Sequence, residues 1–253
     1  MNLKNYLPEF LGVLFALLLI NAWYLSGIAI EQGVVPIYYE HIIRALTVAG
    51  SAGFGATLAF KFNNRLEGIK NERIDLKEKA QHAAILNKAL LNIAMQLNTI
   101  GNMKKKLYKY NTIHDKAFSM NAEKNFNDNA IVDINEIALI LTSKPQLLLE
   151  INNEQDGYIQ TIESFKIRNE HYLNILQPKM FELGLLDRKA TIGEYEDALP
   201  HPIFKAAYQS VEALETNILE TEKGLKVIFQ SLRNACKEIL PEHKFIAQTE
   251  HSK

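Results

Sequence analysis

Charged and apolar positions split this chain into two unequal parts. From Phe10 to Ile30, 21 consecutive residues carry no charge, and from Ala45 to Phe60 another 16 carry none. A hydrocarbon core of ~30 Å takes about 20 apolar residues in a helix. The first run meets that alone. The second meets it when counted from Ile42 to Phe62, provided that Arg44 snorkels to the headgroups. The pattern therefore predicts two membrane spans, about 7–27 and 42–62, joined by a short turn at Gly33 and Pro36. Trp23 with Tyr24, then Tyr38 with Tyr39, stand where aromatic belts meet an interface. A cleaved signal peptide is the competing reading of the first run, but a second span follows and only Lys4 precedes it.

Beyond residue 63 the apolar positions take a helical period. Leu66, Ile69, Leu76, Ala80, Ala83, Leu90, Ala94, Leu97 and Gly101 follow a 3-4 repeat that Arg73 and Asn87 interrupt. This predicts a helix over about 64–110 that continues from the second span and bends at Gly101. Residues 111–128 have few apolar anchors and read as a loop. A short helix over about 130–142 and a longer one capped by Ser143 follow, the latter carrying Ile151, Tyr158, Ile162, Phe165, Tyr172 and Leu176. Pro178 kinks or ends it, and Gly184 closes the apolar run before a charged loop. The last helix keeps coiled-coil spacing from Phe204 through Val211, Leu214, Ile218, Leu225 and Leu232 to Ile239, between Pro202 and Pro241. The expected fold is all-α: a two-helix transmembrane hairpin over 1–63, an antiparallel helical bundle or coiled coil over 64–240, and a flexible tail over 241–253.

The second span holds the densest run of small residues. Its stretch GSAGFGAT matches the spacing of a phosphate-binding loop, but Ala56 stands where that loop needs lysine, and no strand precedes it. Packing explains the stretch better. Ala45, Ala49, Ala52, Ala56 and Ala59 lie on one helix face with Gly53 beside them. In lipid, small residues permit close helix approach. Gly12 and Ala16 offer a matching surface on the first span. The partner is the first span, another copy, or both. Asn21 is either a locally bonded amide or an interhelical or pore-lining contact.

Charge then sets orientation. No Lys or Arg lies between Gly27 and Ile43, whereas Lys4, Lys61, Arg65, Lys70 and Arg73 flank the spans on the other side. The positive-inside rule puts both termini in the cytoplasm. With 28 Lys and Arg against 29 Asp and Glu, the chain has no whole-protein footprint for nucleic acid. One local cluster stands out: Lys104, Lys105 and Lys106, followed by Tyr108 and Tyr110. It fits contact with RNA or anionic lipid, or cations stabilising a helix end.

Candidate chemistry is sparse. The single Cys236 sits on an apolar stripe, the seven histidines are scattered, and no metal or nucleophile motif is formed. His114-Asp115 lacks the further ligands of a metal phosphohydrolase. Arg168 and His171 resemble the Arg/His pair of the HEPN ribonucleases but are closer together than that family's spacing, and Glu163 and Glu170 nearby point to a solvated ionic face. No enzyme activity, cofactor, metal or small-molecule substrate is expected.

The layout resembles the two-span effector proteins of bacterial antiphage systems, including those encoded beside retrons. No residue motif carries the resemblance. It implies an inner-membrane protein whose small-residue face drives homo-oligomerisation and membrane damage in abortive infection. The helical region would then receive the signal from a cytoplasmic protein or ribonucleoprotein partner. The alternative is a membrane-anchored scaffold that tethers a partner through its coiled coil.

Overall fold

The computed structural model describes residues 7–123, 126, 130–186 and 190–247. Every regular element among them is helical: α1 (Leu7–Glu31), α2 (Tyr39–Leu107), α3 (Ile113–Phe118), α4 (Ile134–Ala138), α5 (Pro145–His171), a π turn (Tyr172–Leu176), α6 (Gln177–Glu182), α7 (Ile192–Ala198) and α8 (His201–Ile239). The chain forms two compact units that divide inside α2, after Lys77. The sequence pattern set that division at 63/64.

The first unit holds α1 and the N-terminal part of α2. Two of its helices are long and apolar enough to cross a membrane, and none of the apolar windows is buried. A left-handed glycine ends α1. Gly33 has φ +68°, Gly33 N donates to Ile30 O and Val34 N donates to Ala29 O, which together close the exposed helix end. The seam between the helices is narrow. Phe15 and Phe54 rings lie 3.9 Å apart, and a Cβ added to Gly12 would sit 3.4 Å from Leu58. Polar residues in the apolar runs bond within their own helix: Asn21 to Leu17 O, Ser26 to Ala22 O, Thr47 to Ile43 O and Thr57 to Gly53 O. Local bonding of this kind is what a segment without water requires. Asn21 makes the local amide bond in this structure.

In the second unit, the C-terminal part of α2, α5 and α8 pack around one core. Leu86, Leu90, Ile93 and Ile100 meet Ile151, Tyr158 and Ile162, and Val211, Ile218, Leu225 and Phe229 complete the layer. The α8 repeat runs Ala207, Val211, Leu214, Ile218, Thr221, Leu225, Ile228, Leu232 and Ala235, all buried. Thr221 fills the one polar slot. Its hydroxyl meets Thr161 at 2.8 Å and the Gly157 carbonyl at 3.2 Å, so no buried oxygen is left unpaired there. Gln96 and Gln155 do the same for α2 and α5, each donating to the other at 2.6 and 3.1 Å. Residues 154–164 meet 224–217 in reverse order, so α5 and α8 are antiparallel.

Five local expectations change. Residues 111–128 contain α3, capped by the Thr112 hydroxyl, which accepts from Asp115 N. The expected helix over 130–142 shrinks to α4, because Gln96 takes the Ala130 carbonyl and Gln155 takes the Val132 N–H, which holds that strand of chain extended. Lys144, not Ser143, occupies the α5 N-cap, with Pro145 opening the helix. The charged loop contains α7, started by a capping box between Thr191 and Glu194. Near Pro178 the helix widens to a π turn, with Gln177 N bonded to Tyr172 O, because proline has no N–H to continue the ladder. Gly184, at φ +68°, then ends α6 as Gly33 ends α1. The tail expected to be flexible over 241–253 is docked over 241–247, and 248–253 lie outside the described residues: Asn87 donates to Lys244 O and accepts from Ile246 N, both at 3.1 Å, and Phe245 and Ile246 pack on the core.

Candidate functional site

The small-residue face on α2 is the first candidate. At 3.6 residues per turn, Ala45, Ala49, Ala52, Ala56 and Ala59 share one side of the helix, with Gly53 at its edge. All six are exposed. The half-buried residues of the same stretch are Ile43, Thr47, Phe54 and Leu58, on the opposite side, where α1 lies. A Cβ added at Gly50, Gly53 or Gly55 would meet nothing within 4 Å. On α1, Gly12 reaches Leu58, whereas Ala16 is exposed. The hairpin thus closes through larger side chains and leaves its alanines open. The periodicity identified this face; which way it turned depended on how the bulkier Phe15 and Phe54 met, which one chain's pattern does not encode.

The basic cluster is the second. Lys104 pairs with Glu222 at 2.5 Å, and Lys106 pairs with Glu123 at 2.5 Å while lying over the Phe126 ring. Burial pushes the Glu222 carboxyl up, but hydrogen bonds from Lys104 and Lys226 outweigh it and hold that carboxyl below its usual range. Lys105 is exposed between them. Two of the three lysines therefore join α2 to α8 and to the 120s loop. Tyr108 lies under the Lys116 ammonium, itself 2.8 Å from Glu215.

The third site escaped the sequence reading. Arg168 is 2% exposed, not part of a solvated face. Its guanidinium donates to the carbonyls of Lys116, Met120 and Asn121 and lies over the Tyr172 ring. The Lys116 carbonyl lies in the last turn of α3, where helix oxygens lack partners, and those of Met120 and Asn121 follow it. Burial lowers the Arg168 pKa to about 10. Asn169 is buried beside it and donates to Glu123 O at 2.8 Å. Beside them, burial first and Arg168 second hold His171 below its ordinary value. The flanking glutamates hid this arrangement.

His114 bonds the Tyr208 hydroxyl at 3.0 Å within a ring cluster of Phe118, Tyr195 and Phe204. Among the described residues no group of three or more His, Cys, Asp or Glu is placed to hold a metal ion. Cys236 is buried, and burial pushes its thiol up to about 12. No protein-family model matches this chain, and none of the curated proteins or solved structures compared with it matches either.

Proposed function

We propose that this chain is a two-span inner-membrane effector. Its hairpin self-associates through the open alanine face and compromises the membrane in abortive infection, when a partner engages the second unit. The observation that carries this reading is the alanine face itself: six small residues in the most apolar part of α2, exposed and turned away from α1. Helices in lipid gain little from apolar contact and associate through close packing at such surfaces. Exposed Leu17, Leu18, Trp23, Leu46 and Phe60 support a lipid setting for the same unit, since water would penalise them. Both termini face the cytoplasm on this reading, as the lysines and arginines demand.

A scaffold is the second reading. Leu139 and Phe181, 81% and 72% exposed on the second unit, are the kind of side chains a tethered partner covers. Bacterial cells expressing the intact chain, monitored with a potential-sensitive dye, separate the two. The effector reading expects depolarisation, suppressed by Ala52→Leu or Gly53→Leu. Full potential at high expression of the intact chain would favour the scaffold.

A further inference from the structure

At the turn end of the hairpin, a cavity of about 460 Å³ opens between α1 and α2, with Trp23, Ser26, Gly27, Glu31, Glu40 and Arg44 among its walls. Its charges are unevenly matched. Arg44 and Glu40 pair at 2.5 Å, and among the described residues no ion pair reaches Glu31. The wall is left with a net negative charge beside an indole ring. Gly27 gives it an open floor, since a Cβ there would meet nothing within 4 Å. Arg44 keeps N–H donors to spare after binding Glu40, because a guanidinium carries five.

We propose that this cavity binds the phosphoethanolamine head of a phospholipid. The primary ammonium sits against Glu31 and Glu40 near the Trp23 ring, and the phosphate takes the remaining Arg44 donors. An ammonium with three N–H groups satisfies two carboxylates, which a trimethylammonium cannot do. A head without a cation leaves Glu31 unmatched. Trp23 also contributes a cation–π contact suited to either amine, so the carboxylates set the preference. This rests on the reading of α1 and α2 as spans, which puts Trp23 and Tyr38 at the level of the headgroups.

The test uses the full chain in mild detergent, with bound lipid read by native mass spectrometry after adding phosphatidylethanolamine, phosphatidylcholine or phosphatidylglycerol. Phosphatidylethanolamine should be retained about tenfold better than the other two, the step of one charge-assisted contact. Glu31→Gln should remove that preference, and Gly27→Leu, which fills the floor, should lower retention of the preferred lipid. Excess free phosphoethanolamine identifies the source: displacement assigns the site to the head alone, and continued retention assigns it to the intact lipid. Equal retention of the three lipids, or a preference untouched by both substitutions, overturns the proposal. A chain that leaves the membrane fraction without detergent would instead refute the spans.

Discussion

Arg168 shows how one side chain can organise a segment that local sequence leaves undefined. Its donors reach the carbonyls of Lys116, Met120 and Asn121, and among the described residues no carboxylate pairs with it. Arg168→Met should lower stability by about 2–4 kcal/mol, because buried carbonyls lose their donors at about 1–3 kcal/mol each. Urea unfolding read by near-ultraviolet tyrosine dichroism checks this, since Tyr158, Tyr172 and Tyr195 are buried in the second unit, whereas the single Trp23 lies in α1. A loss of less than about 1 kcal/mol would mean that the carbonyls find other donors. His171 adds a pH dependence. Its folded pKa is depressed from 6.5, so its contribution is present above 6.5 and is lost as pH falls through the lower folded value. His171→Gln should therefore flatten the acid side of the stability profile below about pH 6.5, leaving pH 8 unchanged. Neither role was legible in the sequence, where Glu163 and Glu170 suggested exposure and the burying neighbours lie some fifty residues away.

At the scale of elements, legibility followed periodicity. The α8 stripe from Ala207 to Ala235 is buried position for position, because a 3-4 repeat has one way to hide its apolar side. The π turn also had a visible cause in Pro178. Short elements were lost. α3 depends on Arg168 from another helix. α7 carries its capping box, Thr191 with Glu194, in plain view, but without an apolar run behind it. Asn87 looked like a flaw in the α2 stripe, yet it reads the backbone of residues 244–246 from both sides. Asn87→Ala should free that segment: cleavage after Lys244 by trypsin should accelerate about fivefold, consistent with losing two hydrogen bonds of about 0.5–1.5 kcal/mol each. An unchanged cleavage rate would mean that Phe245 and Ile246 hold the segment without help.

For the whole molecule, the exposed apolar surface of the first unit governs the reading. Val13, Leu17, Leu18, Ile20, Trp23, Leu46 and Phe60 are all exposed, whereas the second unit gathers Leu86, Leu90, Ile93, Ile151, Leu214, Ile218, Leu225 and Leu232 into one buried core. Such a surface costs roughly 25 cal/mol for each Å² left in water, so it needs lipid or protein around it. Composition alone pointed to this. The side of α2 left open did not follow from composition, because it was set by the Phe15–Phe54 contact.

Single-cysteine labelling of intact cells with a membrane-impermeant maleimide tests the spans most directly. Cys236 should stay unlabelled in the folded chain, since it is buried and burial raises its thiol to about 12. Val34→Cys, in the turn, should label from outside, and Lys70→Cys should label only after the membrane is opened. Labelling of Lys70→Cys in intact cells, or protection of Val34→Cys until they are opened, would contradict a hairpin with both ends inside.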